Sequence, residues 1–138
     1  MEDWGITGYE LQEVAHKGPS SGKVPCYLLV PIETLPAWSS KMPRIYFVTE
    51  EHCHDCGIQG RITGPFHYDK TDLNNHANDV YFSNEYISNR RWAYRATVIS
   101  KRFRDLLIEN KITRDVRDMH STKYGSRDWL FDPVIIVE

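Results

Sequence analysis

Val98-Ile99-Ser100-Lys101-Arg102-Phe103-Arg104-Asp105-Leu106-Leu107-Ile108-Glu109-Asn110 is the stretch whose reading decides the fold. Val98 and Ile99 end a strand-like segment. Ser100 is a good N-cap, because a short hydroxyl can accept from the free backbone N–H groups of a first helical turn. Phe103, Leu106 and Leu107 then fall at i, i+3 and i+4, one apolar stripe of an amphipathic helix over Lys101 to Asn110, with Asn110 able to supply a left-handed end. A helix with one apolar side must cover something. The segments around it read as strands, so the helix is expected to lie on a sheet.

Working outward, Trp92 and Tyr94 alternate with Arg91, Ala93 and Arg95 between Ile87 and Thr97, a strand pattern with two faces. Val80-Tyr81-Phe82 is another apolar strand. Tyr9 to Val14 nearly alternates, which favours a strand with one wet face. Cys26 to Val30 is a continuous apolar run, read as a central strand with Cys26 as a small buried hydrophobe. Arg44 to Thr49, with Ile45-Tyr46-Phe47-Val48 at its centre, reads as a buried strand. Thr34 to Ser40 is expected to form a short turn of helix, Phe66-His67-Tyr68 a short strand, and Asp69 to Asp79 an exposed polar loop. The stretch from Ile112 to Glu138 reads as strand and loop, closing on the β-branched run Val134 to Val137. The expectation is an α+β fold: a single domain over residues 1–138, mostly antiparallel sheet with one main helix packed on it.

The chain has 138 residues, is 41% hydrophobic and carries 17 Lys and Arg against 19 Asp and Glu, a net charge of -2. It can build a core, and it lacks the basic surplus of a general nucleic-acid binder. No run of about 18 apolar residues exists, so no membrane span is expected. The acidic start, Met1-Glu2-Asp3-Trp4, lacks the order of a secretory signal, and a cytoplasmic protein is expected. Three cysteines are an odd number, and a disulfide framework is not expected.

Glu51-His52-Cys53-His54-Asp55-Cys56-Gly57 concentrates the chemistry. The Cys-x-x-Cys-Gly spacing lets two thiolates meet one tetrahedral zinc. Cys53, Cys56, His52 and His54 are the candidate ligands, with His67 and Cys26 as further donors. The alternative is a pair of free thiols on a surface turn. A thioredoxin-like motif would open a helix, and Gly57-Ile58-Gln59-Gly60 is a poor helix start. His76, among Asn74, Asn75, Asn78 and Asp79, could serve a His/Asn metal nuclease, although the helix lies far from that polar loop. No phosphate loop, nucleophile elbow or HExxH helix is present.

Arg90, Arg91, Arg95, Lys101, Arg102 and Arg104 form a basic stretch, interleaved with Trp92 and Tyr94 and open to acids at Glu2, Asp3, Glu10 and Glu13. Arginine and large aromatics are the preferred anchors of protein interfaces. Tyr86, Arg90, Arg91, Trp92, Tyr94 and Arg95 are therefore the candidate partner-binding residues. Tyr68, Tyr81, Tyr124 and Trp129 add to an aromatic content too large for a core of this size to hide.

The Cys53-x-x-Cys56-Gly57 turn, the strand Asp79-Val80-Tyr81-Phe82-Ser83, and Val98 to Leu107 followed by Ile112-Thr113 resemble the double-CXXCG and related immunity-type proteins of bacterial polymorphic toxin loci. In those, a strand ending in Ser opens a helix of the form Ser-x-x-Phe-x-x-Leu-Leu. The likeness spans about residues 45 to 113 and departs in having one Cys-x-x-Cys-Gly instead of two. It implies a non-catalytic immunity protein that binds a cognate secreted toxin and occludes its active site, with no cofactor. The alternative is a zinc-dependent nucleic-acid-binding module or metal nuclease.

Overall fold

A computed structural model describes residues 4–15, 17–19, 21–88, 92–110, 112 and 134–138. Arg90, Arg91, Tyr124, Trp129, Glu2, Asp3 and the whole stretch between Ile112 and Val134 lie outside the described residues. In chain order the elements are β1 (Tyr9–Val14), β2 (Cys26–Pro31), β3 (Phe66–Asp69), α1 (Lys70–Leu73), β4 (Val80–Ser88), β5 (Ala93–Ile99), α2 (Lys101–Glu109) and β6 (Val134–Val137). They pair as three two-stranded sheets: β1 with β2 and β4 with β5 antiparallel, β3 with β6 parallel. The domain is α+β with one main helix. No helix among the described residues is long and apolar enough to cross a membrane.

The β4–β5 hairpin is the central plate. Directly opposed residues share a face, and faces alternate along each strand. Val80 pairs with Ile99, and together with Ile6 and Phe103 they form one core cluster, which Leu106, Leu107, Tyr9 and Leu29 flank. Tyr81 pairs with Val98 on the other face, where Leu35, Tyr68, Leu73 and Val134 complete a second cluster. Helix α2 thus covers one side of the hairpin, and the β3–β6 pair covers the other. The Ser100 hydroxyl accepts from the Phe103 N–H at 3.1 Å, the cap that the sequence calls for.

Four expectations are corrected. Arg44 to Thr49 is not a buried strand. Arg44–Tyr46 is a 3-10 turn, Ile45 is 84% exposed, and only Phe47 forms a bridge, with Ile62. Pro43, with φ -62°, accepts the Tyr46 N–H at 3.1 Å and closes that turn, and an apolar run of four cannot by itself distinguish the two outcomes. Thr34 to Ser40 is extended instead of helical; Thr34 bridges Phe82 in parallel, and the Leu35 N–H donates to the Phe82 carbonyl at 2.8 Å. Strand β2 is not central. It pairs only with β1 among the described residues, and Cys26 is exposed. The Asp69 to Asp79 loop is not wholly exposed: it contains α1, and Leu73 and Asp79 are both buried at 4% exposure.

Candidate functional site: an arginine and aromatic face on the β4–β5 hairpin

Beyond the part of the hairpin that α2 covers, the same face carries Phe82, Tyr86 and Arg95. Tyr86 and Arg95 are cross-strand partners, and the register shifts between Phe82 and Tyr86, a bulge at Ser83, Asn84 and Glu85. The bulge lets both rings of one strand approach one guanidinium of the other. The Arg95 guanidinium carbon lies 4.9 Å from the Phe82 ring centroid and 6.0 Å from that of Tyr86. Such contacts favour the cation through the negative faces of the rings. Arg95 Nε donates to the Ser83 carbonyl at 2.7 Å, and Nη2 donates to the Thr34 hydroxyl. The guanidinium is therefore fixed before any partner arrives. Tyr86 is half exposed, and Arg95 is partly buried beneath it.

The bulge is held from behind. Ser83 Oγ donates to the Glu85 carbonyl at 2.9 Å and accepts the Ala96 N–H at 2.9 Å. Glu85 Oε1 accepts the Trp38 N–H at 2.8 Å, while its buried Oε2 has no hydrogen-bond partner among the described residues. Burial pushes the Glu85 carboxyl above the ordinary carboxylate range, against the Trp38 N–H and the charge of Arg95, which pull it down.

Tyr94 does not join this face. Tyr94 opposes Ile87 across the hairpin, one residue out of phase with the Tyr86–Arg95 pair, so it belongs to the side that β3 and β6 cover lower down. Trp92, just before β5, is 69% exposed, and Tyr94 is 43% exposed. The six candidate partner residues thus divide: Tyr86 and Arg95 meet, Tyr94 stands on the opposite side, exposed Trp92 lies just before β5 and outside the paired register, and Arg90 and Arg91 lie outside the described residues. Phe82 and Thr34 belong to the site and were missed. Phe82 has the alternation of a strand residue, but Thr34 reaches Arg95 only through a long-range bridge that has no local sign.

The rest of the basic stretch is largely answered internally. Arg102 pairs with Asp79, while Lys101 pairs with Asp105 at 2.7 Å and the buried Arg104 pairs with Asp105 at 3.0 Å. Among the described residues the neutralising acids are Asp79 and Asp105; of the N-terminal acids considered from the sequence, Glu2 and Asp3 lie outside the described residues. Arg95 is left as the described arginine of that stretch that faces aromatic rings instead of a carboxylate.

In the turn with the paired cysteines, the free-thiol alternative is corrected. Cys53 and Cys56 form a disulfide, with Cα atoms 5.7 Å apart, within ordinary disulfide span. The turn brings residues three apart together, so a disulfide arises without a framework of bridges. The backbone of the turn has its own bonds: the Cys53 N–H donates to the Ile58 carbonyl at 2.9 Å, and the Gly57 N–H donates to the Cys53 carbonyl at 3.0 Å. Gly57 adopts φ +69°, the left-handed region that glycine enters without strain. The His52 and His54 rings meet edge to face, their centroids 4.6 Å apart. Cys26 is on β2, and buried His67 sits in β3 with Nδ1 3.2 Å from the Pro65 carbonyl. His76 packs edge-on against Tyr81 at 5.5 Å. Among the described residues, no three His, Cys, Asp or Glu side chains gather as a metal-holding group. Comparison with known protein families, with curated proteins and with solved structures finds no match.

Proposed function

We propose that the chain is a non-catalytic, cytoplasmic binding protein of the immunity type, which neutralises a cognate bacterial toxin by covering its active site. The observation that carries this reading is Arg95, clamped between the Phe82 and Tyr86 rings and hydrogen-bonded to Ser83 and Thr34. An arginine ordered in advance loses little side-chain freedom on binding, and an arginine flanked by tyrosine is the residue pair that dominates interface energies. Its charge favours an acidic partner surface. Exposed Trp92 and Tyr94 would widen the contact beyond Tyr86 and Arg95. The pairing of Lys101, Arg102 and Arg104 with Asp79 and Asp105 leaves little basic surface there for a nucleic acid.

The test is coexpression with the product of the adjacent reading frame, because toxin and antidote are normally neighbours. The wild-type chain is expected to restore growth and to form a stoichiometric complex without turnover. Tyr86→Ala combined with Trp92→Ala should keep the fold and weaken the complex by at least about 30-fold, as loss of two interface anchors does. Rescue at full strength by the double variant, or chemical conversion of a substrate by the purified chain, would count against the reading.

A further inference from the structure

We infer that Cys53 and Cys56 are a redox-active couple, a dithiol–disulfide pair that exchanges with dithiol reductants while the protein stays folded. The bond is placed where it contributes little to the fold. It closes a loop of very few residues, and the constraint that a cross-link puts on the unfolded chain grows with loop length. The turn does not depend on it either. The Cys53 N–H to Ile58 carbonyl bond and the Gly57 N–H to Cys53 carbonyl bond close the turn through backbone alone. On its far side the Gln59 N–H donates to the Tyr86 carbonyl at 2.8 Å, and the Ser88 N–H donates to the Gly60 carbonyl at 2.9 Å, which ties the turn to β4. Opening the sulfur–sulfur bond therefore breaks no backbone contact. A disulfide that is dispensable to the fold and open to solvent is the labile kind. Cys56 is exposed and Cys53 half-buried, so Cys56 is the more open of the two to attack.

The exchange follows from that asymmetry. A thiolate of an external dithiol attacks Cys56 Sγ, and the Cys53–Cys56 bond breaks with its electron pair on Cys53 Sγ, which takes a proton from water. The mixed disulfide then yields to the second thiolate of the reductant, which attacks the reductant's own sulfur and expels Cys56 as a thiolate, protonated in turn. Two electrons pass to the protein, and the reductant leaves as its cyclic disulfide. The couple would operate whether or not the β4–β5 face binds a protein.

The test uses the full chain carrying Cys26→Ser, which removes the exposed third thiol. The protein is equilibrated without denaturant in mixtures of reduced and oxidised dithiothreitol, quenched in acid, labelled with a maleimide and weighed intact. The expected result is one reversible two-electron transition, from no labels to two, with the same near-ultraviolet circular dichroism and the same unfolding cooperativity at both ends. Two labels in every mixture would overturn the inference, as would oxidation that yields only dimers linked between chains. Loss of cooperative unfolding on reduction would make the bond structural and also overturn it. One equivalent of zinc that blocks labelling of the reduced chain would assign the pair to a metal instead.

Discussion

At Asp79 one buried carboxylate gathers donors from three parts of the chain. It accepts from the Thr7 N–H at 3.1 Å, the Ser100 hydroxyl at 2.6 Å and Arg102 Nε at 3.2 Å. Burial alone would raise this carboxyl; the bonds from Arg102, Ser100 and Thr7 outweigh it and hold Asp79 below the usual carboxylate range. A depressed pKa contributes stability that is present above the unfolded-state value, about 4, and is lost as pH falls through the folded one. Asp79→Asn is therefore expected to cost about 2 kcal/mol at pH 7, because it leaves charged and polar donors unmatched. The gap to wild type should narrow as pH falls below about 4 in urea unfolding. Glu85 has the opposite sign, since its raised pKa stabilises the fold only as it protonates. Glu85→Gln should thus match or exceed wild type at pH 7 and lose that advantage in acid. A gap for Asp79→Asn that is the same at pH 7 and in acid would show that its charge is irrelevant. Ser100 was readable as a cap from its place before an apolar stripe. Asp79 was not readable, because its polar neighbours Asn75, Asn78 and His76 look like a solvated loop, and its partners Thr7 and Arg102 are distant in sequence.

Whole elements were legible where periodicity and capping agreed, as in α2, β1 and the start of β4. The reading failed where short runs were held by single bridges instead of a ladder, as at Phe47 with Ile62 and at Thr34 with Phe82. These outcomes are set by remote backbone, which leaves no pattern in the segment itself. The candidate site divided for the same reason. Alternation alone does not say whether Tyr86 and Tyr94 share a face; pairing register sets Tyr86 opposite Arg95 and Tyr94 opposite Ile87, and the bulge at residues 83–85 resets that register. The junction of β1 with β4 offers a sharp test at this scale. Gly8 has φ +89°, and a Cβ there would stand 2.6 Å from both the Asn78 Cβ and the Val80 carbonyl oxygen. Neither neighbour is the far end of a flexible chain. Gly8→Ala combines a disfavoured backbone with a collision and should cost about 3 kcal/mol or more. A thermal midpoint within a degree of wild type would mean that Gly8 does not lie against Asn78 and Val80 as described.

For the molecule as a whole, the two clusters on opposite faces of the β4–β5 plate differ in how they are closed. The cluster beneath α2 draws on Val80, Ile99 and Phe103, which are near in sequence, with Ile6 added. The other is closed by β6, which pairs in parallel with β3, Phe66 opposite Val134. Val134 is 2% exposed within it, and Ile136 packs against it. Bringing these strands together closes a loop of about half the chain length, Phe66 to Val134 in 138 residues, so the contact forms at a large entropic cost and is repaid by apolar burial. The nearby Lys70–Glu138 ion pair, 2.7 Å long, has both side chains mostly in water and contributes little. These two features predict different outcomes for neighbouring changes. Lys70→Ala should leave the unfolding midpoint where it is. Deleting residues 134–138 should remove a wall of the second cluster, expose Tyr68 and Tyr81 beneath it, and turn one cooperative transition into a broad one with raised binding of a hydrophobic dye. Hydrogen exchange would locate the damage: protection should fall in β3 and persist in α2 and β5, whose Val80–Ile99–Phe103 cluster lies on the other side of the plate. Uniform loss across both faces would instead mean that the plate and its two covers unfold as a single unit.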